Sequence, residues 1–456
     1  MRMNINLAKL NVGFIGLGYA GFPMACLFSR QFPVVGFDIS TERVDELNRA
    51  CDYCGDVTAE EIHEVLDRGA RFTTDLEELR GCNFYVIVVP TPVDAQLRPD
   101  ITCLLEASRE VARVLSPGDV VVFESTVYPG ATEELCVPVI EEESGLEFNR
   151  DFFVGYSPER INPGDKYHKP NNMVKVTSGS TPETADYIDR VYAAVLGEGH
   201  TYRASNIRVA EASKVVENTQ RDVNIAFMNE ITRILDAMDV DVNEVLDAMN
   251  TKWNALGFRP GLVGGHCIGV DPYYLLDRAM TKGISANLIM TARTINNAMP
   301  GYVTEKVIRR MRMEGLEPEK ASVLLLGFTF KENCPDIRNT RVYDIYRLME
   351  SYTTDITIYD PWVDAGLAEW SYRVQVCTRL EELAGRRFDT IVICVAHDAF
   401  RDFDYSAYSA AGCVVYDVKG LLRQPHPAAK CVEPGKYAGD SAAGEVPPSP
   451  SVCRGK

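Results

Sequence analysis

Residues 206–239 read NIRVAEASKVVENTQRDVNIAFMNEITRILDAMD and contain neither proline nor glycine. Apolar side chains recur through this stretch at helical spacing, namely Val209, Ala212, Val216, Val223, Phe227, Ile231 and Leu235. The pattern predicts one amphipathic helix roughly 50 Å long, at 1.5 Å of rise per residue. A helix of this length usually joins separate bodies, and α/β patterns lie on both sides of it in the sequence.

Two polar residues of this helix share one face. Lys214 and Asn218 stand four residues apart, so their side chains are directed at the same place. On an isolated helix such a pair is most often part of a solvated surface. The remainder of the chain favours a functional interpretation.

The N-terminal segment carries a dinucleotide-binding pattern. A strand, NVGFIG, runs into Gly16-Leu17-Gly18-Tyr19-Ala20-Gly21 and an apolar helix, and a second strand ends in Asp38, 22 residues after Gly16. Glycines allow the backbone to approach a pyrophosphate, and the helix N-terminus supplies N–H donors. Asp38 is suited to bind ribose hydroxyls and to repel a 2′-phosphate, which predicts NAD as the cofactor.

Later strands of this segment end in polar loops. In open α/β sheets ligands bind beyond the carboxyl ends of strands, although Ser and Thr at such positions can also be helix caps. Glu159 follows the strand-like run DFFVGYSPERINPG in the same way, with a surface acid as the alternative. The predicted cofactor-binding residues are Gly16, Gly18, Tyr19, Ala20, Gly21, Asp38, Arg43, Thr91, Pro92, Ser125 and Thr126.

A glycine-rich segment after the long helix, TKWNALGFRPGLVGGHCIGVDPYYL, presents His266, Cys267 and Asp271. A thiol among polar residues in an irregular loop could be exposed and polarised. Such a thiol would serve an aldehyde product: it could form a thiohemiacetal, which a second oxidation converts to a thioester and water releases as an acid. Lys214 and Asn218 are suited as oxyanion donors. The candidates for taking protons and activating water are Asp271, Glu159 and, through a bound water, Thr126; which of Asp271, Glu159 and Lys214 takes the first proton stays open.

The last third of the chain repeats the α/β pattern without the glycine fingerprint. After SVLLLGFTFK, the cationic residues Lys331, Arg338 and Arg341 could pair with phosphate oxygens. The predicted fold is therefore α/β, with two Rossmann-like doubly wound domains joined by a long central helix within a small helical middle domain. The predicted division is an NAD-binding domain 1–203, a helical domain 204–312 that carries the loop of Cys267, a second α/β domain 313–435 suited to a phosphorylated ligand other than NAD, and a disordered tail 436–456.

Composition excludes several functions. The net charge of −18 argues against binding to nucleic acid or an anionic membrane. The 13 scattered cysteines suit reduced thiols, and the lone pair Cys51 and Cys54 lacks the second pair that a metal site would need, so no metal is predicted. No signal peptide or membrane-length apolar run is evident, which predicts a cytoplasmic protein.

The motifs together resemble the UDP-glucose/GDP-mannose dehydrogenase family. They are GLGYAG at Gly16, VPTPVD at Val89, ESTVYPG at Glu124, YSPERINPGD at Tyr156, EASKVVENTQRDVNIAFMNE at Glu211, GGHCIGVDPYYL at Gly264 and GFTFKENCPDIRNTR at Gly327. The resemblance implies oxidation of a nucleotide-sugar CH₂OH to a carboxylate with two NAD. It implies Cys267 as the nucleophile, assisted by Lys214, Asn218, Asp271, Thr126 and Glu159.

The resemblance also implies a homodimer or larger oligomer, because Arg259 looks like the arginine that members lend across a dimer. It implies that the helical domain 204–312 carries the catalytic loop and dimerises and that the domain 313–435 binds UDP. The implied substrate-binding residues are Glu159, Arg160, Lys214, Asn218, Arg259, Gly265, Tyr273, Phe330, Lys331 and Arg338.

The sequences of these loops are similar to those of the family branch that acts on UDP-N-acetylhexosamines. The expected substrate is UDP-N-acetylglucosamine, and the expected product is a precursor of capsular polysaccharide. UDP-N-acetylgalactosamine and UDP-N-acetylmannosamine remain alternatives, because the epimers differ only in the orientation of a substituent. A further alternative is a two-electron hydroxyacid dehydrogenase, which the second α/β domain disfavours. Another is a non-catalytic NAD-binding protein, which is disfavoured by the presence together of Lys214, Asn218, Cys267 and Asp271.

Overall fold

The computed structural model describes residues 6–53, 55, 57–160 and 173–423. Cys54 and the predicted disordered tail 436–456 lie outside these residues, as do the last positions of the YSPERINPGD motif.

The first domain is built on a parallel sheet with the order β3-β2-β1-β4-β5-β6. Its strands are β1 (Val12–Ile15), β2 (Val34–Phe37), β3 (Arg71–Thr73), β4 (Phe84–Ile87), β5 (Val120–Phe123) and β6 (Phe153–Tyr156). All but β3 are buried along their whole length, as expected for strands covered by helices on both faces. The strand order reverses between β1 and β4, which places a crevice at the carboxyl ends of these strands.

The α-helices described with this sheet are α1 (Gly21–Ser29), α2 (Thr41–Asn48), α3 (Ala59–Asp67), α4 (Thr102–Val114), α5 (Val137–Ser144) and α6 (Pro182–Leu196). A small parallel pair, β7 (Lys175–Thr177) and β8 (Thr201–Arg203), follows β6 in the chain.

The predicted long helix is present as α7 (Ile207–Asp236), which has 30 residues. Its N-cap is Asn206, whose side chain accepts from the N–H of Val209 (2.9 Å). The helix ends three residues before the predicted end at 239, where Asp239 adopts a left-handed φ of +56°.

The buried face of α7 differs from the apolar stripe that its sequence suggests. Val209, Val216 and Phe227 of that stripe are 45, 51 and 53% exposed. The buried face instead includes Asn218, Asp222 and other polar residues. An apolar stripe is therefore left on the surface of this chain.

A buried polar cluster explains how α7 packs with polar side chains inward. The helices α8 (Val242–Met249), α9 (Asp271–Thr281) and α10 (Asn287–Met313) complete the middle section. From α10, Arg293 pairs with Asp222 (2.5 Å), and Asn296 donates to the Asp222 carboxylate (2.7 Å). The two buried charges are thus paired with each other, while Asp222 Oδ2 and Arg293 Nε have no hydrogen-bond partner within the described residues.

The second sheet is also parallel, with the order β10-β9-β11-β12. Its strands are β9 (Val323–Leu326), β10 (Ile356–Tyr359), β11 (Phe388–Ile393) and β12 (Ser409–Asp417), and its helices are α11 (Arg341–Met349), α12 (Ala365–Tyr372) and α13 (Tyr405–Tyr408). The predicted fold class is confirmed. Among the residues described, no helix combines the length and apolarity needed to cross a bilayer.

Candidate active site

A cavity of about 1000 Å³ brings together residues from both Rossmann-like domains and the helical section. Its walls come from the turn after β1, the ends of β2, β4 and β5, helix α7, the loop 266–271 and the segment around Arg338. Sequence-distant candidates therefore meet at one place, at the carboxyl edge of the first sheet.

The glycine turn at one end of the cavity fits a dinucleotide. Gly16 has a φ of +93°, and a Cβ there would overlap the carbonyl oxygen of Val88. At Gly18, by contrast, a Cβ would have no described heavy atom within 4 Å, so the turn is open toward the cavity. Tyr19 and Ala20 also line it, whereas Gly21 begins α1 and does not. Backbone N–H groups at this open turn would hold the NAD pyrophosphate.

Asp38 lies at the end of β2, where the ribose site was predicted. Its carboxylate accepts from the N–H groups of Leu17 (2.8 Å) and Ser40 (2.9 Å), which fixes its orientation beside the turn. Arg43 also lines the cavity, but it is only 5% exposed and its guanidinium is already paired with Asp52 (2.8 Å). This arrangement suits NAD, which lacks a 2′-phosphate.

The loops after β4 and β5 form the middle of the cavity wall. Thr91, Pro92, Ser125 and Thr126 all line it. Ser125 Oγ accepts from the N–H of Val89 (2.9 Å), so the two loops are tied together. Ser125 therefore has a positioning contact as well as a place in the cavity.

Cys267 lines the cavity next to Lys214 and Asp271, but its thiol is half-buried where the sequence suggested exposure. Burial raises the pKa of the Cys267 thiol to about 11, while the charge of Lys214 works in the opposite direction. The residue consequently rests as a thiol and needs a proton acceptor to react.

Asp271 is the first residue of α9, and its N–H donates to the carbonyl of Cys267 (2.9 Å). Burial raises the pKa of Asp271 to about 6, opposed by Lys214 and by a hydrogen bond from Asn218 Nδ2 (2.5 Å). Arg221 donates to Asn218 Oδ1 (3.1 Å), which fixes the amide with its N–H₂ toward the carboxylate. Lys214 and Asn218 thus act on one partner, as their spacing predicted, but Asn218 itself does not line the cavity.

The second domain holds the loop that carries Cys267. Gly265 has a φ of +79°, and a Cβ there would lie 2.8 Å from the ring of Phe330. Asn339 donates to the carbonyl of Gly265 (3.1 Å), and the N–H of Gly265 donates to the carbonyl of Arg338 (3.2 Å). The position of the thiol therefore depends on contacts between two parts of the chain.

Arg338 lines the cavity, pairs with Asp336 and lies 4.8 Å from the centroid of the Tyr19 ring. Beside it, His266 forms no hydrogen bond through either ring nitrogen within the described structure. Burial and the charge of Arg338 lower the pKa of His266 to about 4, so the imidazole is neutral. The sequence pattern predicts no role for His266, although its position next to Cys267 is a signal that could have indicated one.

Other predicted substrate residues lie outside the cavity lining. Arg160 pairs with Glu217 (2.9 Å), Arg259 pairs with Asp247, and Tyr273 is buried with its hydroxyl accepting from Asn297 (3.0 Å). Phe330 and Gly265 pack behind the loop 266–271, and Lys331 also lies outside the cavity lining.

Arg341, a candidate phosphate ligand, instead donates hydrogen bonds to the carbonyl oxygen of Val263 (3.2 Å) and to Asn297 Oδ1 (2.8 Å). Glu159 and Arg338 are the predicted substrate residues, besides Lys214, that line the cavity.

The part of the chain that the structure describes contains no group of three His, Cys, Asp or Glu side chains placed to hold a metal ion.

Three family models match nearly the whole described chain. They are the NAD binding domain (residues 10–196), the central domain (208–298) and the UDP binding domain (324–424) of the UDP-glucose/GDP-mannose dehydrogenase family. UDP-N-acetyl-D-glucosamine 6-dehydrogenases of Salmonella typhi and Pseudomonas aeruginosa are each 47% identical to the chain. The alignments cover 91% of this chain in both cases, and 97% and 98% of those proteins.

Among solved structures, a UDP-D-ManNAc dehydrogenase from Pyrococcus horikoshii is similar with a TM-score of 0.82 at 29% identity. It covers 91% of this chain and 97% of that one. The glycine turn, the thiol loop and the three matching domains agree, so this chain belongs to the UDP-glucose/GDP-mannose dehydrogenase family of NAD-dependent nucleotide-sugar dehydrogenases.

Proposed function

We propose that this enzyme oxidises the C6 hydroxymethyl group of UDP-N-acetylglucosamine to the carboxylate, consuming two NAD per sugar and supplying a precursor for surface polysaccharide. The observation that carries the proposal is the common cavity of Cys267, Lys214, Asp271 and the glycine turn. The names of the two bacterial relatives at 47% identity support the choice of sugar.

NAD would be held by the predicted residues of the first domain, with the open turn at Gly18 for the pyrophosphate and Asp38 for the ribose hydroxyls. NAD, when bound, accepts one hydride from C6 in each of the two oxidations. The lining by Tyr19, Ala20, Thr91, Pro92, Ser125 and Thr126 supports this placement.

Cys267 forms the covalent bond to the substrate. Its thiol adds to the aldehyde carbon and gives up its proton, and the carbonyl oxygen gains a proton to become the hydroxyl of a thiohemiacetal. After the second oxidation the carbon is held as a thioester. Hydrolysis breaks the C–S bond, returns the thiol and releases the carboxylate.

Asp271 and Lys214 serve the proton transfers and the oxygen charge. The Asp271 carboxylate has a pKa of about 6, so it is ionised at neutral pH and can accept the proton of a hydroxyl or thiol. Lys214 faces the same place with a positive charge that stabilises the developing oxyanion. Asn218 assists through Asp271.

Glu159 is our choice for the base that activates the hydrolytic water, with Thr126 helping to hold that water. Both residues line the cavity, and Glu159 approaches it from the carboxyl end of β6, on the first-domain side. We assign the nucleotide end of the substrate to Arg338, with Gly265 hydrogen-bonded to its backbone and Phe330 packed against Gly265. Lys331, Tyr273 and Arg160 stay proposed substrate residues, although they lie outside the cavity lining.

We also infer a homodimer or larger oligomer in which Arg259 serves the substrate of another copy. Its position outside the cavity, paired with Asp247, supports this role. The proposed domain division places the 203/204 boundary between β8 and α7 and the 312/313 boundary in the last turn of α10.

The first experiment counts NADH formed per UDP-N-acetylglucosamine consumed, for the wild type, Cys267→Ser and the control Cys377→Ser, which lies outside the cavity. We expect two NADH per sugar for the wild type and the control, with Cys267→Ser stalling. One NADH per sugar, insensitive to loss of Cys267, would identify a two-electron dehydrogenase. Turnover of UDP-N-acetylgalactosamine or UDP-N-acetylmannosamine in place of UDP-N-acetylglucosamine would correct the sugar assignment alone.

A further inference from the structure

A buried charged cluster lies directly behind Glu159. The ammonium of Lys175, the first residue of β7, donates to Glu159 (3.1 Å) and to Glu124 (2.8 Å). The hydroxyl of Tyr192, on α6, donates to the second oxygen of Glu124. The side chains of Lys175, Glu124 and Glu159 are 7, 0 and 12% exposed.

Among the described residues, the cluster contains two carboxylates and one ammonium. Because buried charges need partners, Lys175 is shared between two acids that compete for it. Neither Lys175 nor Tyr192 lines the cavity, so both act on it through the two carboxylates. Nothing about the reaction requires a second buried acid, so its presence beside Glu159 calls for a function.

The cluster fixes how Glu159 faces the cavity. One oxygen of Glu159 accepts from the N–H of Arg160 (2.6 Å) and the other accepts from Lys175. Glu124 lies at the end of β5, immediately before Ser125 and Thr126, and both Glu124 and Glu159 line the cavity. Movement of Lys175 would therefore turn the Glu159 carboxylate.

We propose that Lys175 is a positioning residue that keeps Glu159 ionised and aimed at the water, and that Glu124 sets the proton affinity of Glu159 by competing for the same ammonium. The proposal rests on the role given to Glu159 in thioester hydrolysis.

The protonation behaviour of the cluster agrees with this geometry. Burial raises the pKa of Glu124 to about 7, against the charge of Lys175. Burial disfavours the ammonium of Lys175, but the charges of Glu124 and Glu159 outweigh it and leave the pKa of Lys175 raised. Lys175 therefore stays charged while Glu124 titrates near neutral pH. When Glu124 is protonated, Glu159 is the carboxylate of this cluster that still pairs with the Lys175 ammonium as an anion.

Other charged and titratable groups of the described residues also lie near Glu159, and the variants below leave these side chains in place. From α7, Glu217 is paired with Arg160 (2.9 Å) and Lys214 lines the cavity. Tyr19 faces Glu159 from the turn after β1, and its pKa is raised chiefly by burial. From the thiol loop, Cys267 and Asp271 line the same cavity.

The test compares two variants for which the proposal predicts opposite effects. Lys175→Met removes the cation, so the pKa of Glu159 rises; Glu124→Gln removes the competing anion, so the pKa of Glu159 falls. The readout is the pH dependence of thioester hydrolysis, followed by rapid quenching and intact-mass measurement of the sugar adduct on Cys267. We expect the acid-side midpoint to move up by about one pH unit in Lys175→Met and down in Glu124→Gln.

Three further variants separate this role from a structural one. Lys175→Arg keeps the charge and should retain a midpoint near that of the wild type. Ser178→Ala, which removes a buried hydrogen bond to Tyr156 (2.7 Å), should lower the melting temperature without moving the midpoint. If Lys175→Met does not fold, the two separate variants Glu124→Gln and Lys175→Arg still test the direction in which the acid-side midpoint moves.

Midpoints that stay fixed, or move in the same direction in both variants, would overturn the proposal for Lys175 and Glu124. The role of Glu159 is tested separately with Glu159→Gln. If that variant hydrolyses the thioester at the wild-type rate, the function proposed for Glu159 fails, and the proposal for Lys175 fails with it.

Discussion

Lys214 acts on two groups of the cavity at once. Its charge lowers the pKa of both the Cys267 thiol and the Asp271 carboxyl, against the effect of burial. An ammonium in that place favours each anionic form that the reaction passes through, including the oxyanion.

Replacing Lys214 by Ala should therefore reduce kcat by on the order of 10²–10³, the range for losing one oxyanion donor. Steady-state NADH formation measures this loss. The matched control is Lys320→Ala, a 75%-exposed lysine outside the cavity, which should keep wild-type kcat. Unchanged turnover in Lys214→Ala would remove this residue from the mechanism.

Asp271 predicts a pH dependence. Its carboxylate form is the active one, so kcat/KM should fall as pH drops through about 6, the pKa of the group. The hydrogen bond from Asn218 lowers that pKa, so Asn218→Ala should raise it and move the midpoint to higher pH. Asn224→Ala, on the same helix and outside the cavity, serves as the control. If the midpoint of the kcat/KM profile is the same in both variants, the observed pH dependence does not arise from Asp271.

The functional residues that the sequence could identify are those that differ in chemical character from the residues around them. Cys267 stands among polar residues in a glycine-rich loop, and Lys214 lies one helical turn before Asn218 on the same face of a long helix. Lys175 carries no such signal, because it is one lysine at the start of a short strand whose partners are 51 and 16 residues away. Its role exists only once the fold brings Glu124 and Glu159 to it.

At the scale of elements, the loop of Cys267 depends on its fit to the second domain. Gly265 combines a left-handed backbone with contact to Phe330, so Gly265→Ala should displace the thiol two residues later and lower kcat at least tenfold. Gly283→Ala is a matched control: its φ is +71°, but no described heavy atom lies within 4 Å of the added methyl. Both variants should lose roughly 1 kcal/mol of stability from the backbone. Equal activity in the two would contradict the proposed dependence of the thiol on this contact.

The elements themselves were largely predictable, whereas the packing of α7 was not. Buried strands ending in polar loops, and a long stretch without Pro or Gly, are signals that act locally along the chain. Which face of α7 turns inward is decided by Asp222 and Asn229, whose buried partners lie on α10 and in the loop between α8 and α9. Apolar periodicity alone selected the opposite set, including Val216 and Phe227.

At the scale of the whole molecule, the exposed stripe of α7 predicts an oligomer. Val216 and Phe227 are about half exposed, and large apolar side chains in a row on one helix favour contact with a second copy. The double variant Val216→Asp/Phe227→Asp should shift the protein to monomers and reduce its activity, as measured by light scattering and NADH formation. Trp370→Asp, at an 83%-exposed site on α12, should leave the oligomer intact. A double variant with wild-type mass would exclude this stripe as the interface.

The raised pKa of the half-buried Cys267 also concerns how long the enzyme survives. At neutral pH a thiol with a pKa of about 11 contains roughly one thiolate in 10⁴, and peroxides and alkylating reagents attack the thiolate. The exposed Cys51 would be consumed by such reagents well before Cys267. The unreactive thiol form of Cys267 is thereby protected from oxidation and alkylation between turnovers. A reporter dye can therefore be attached to Cys51 while the enzyme keeps its activity.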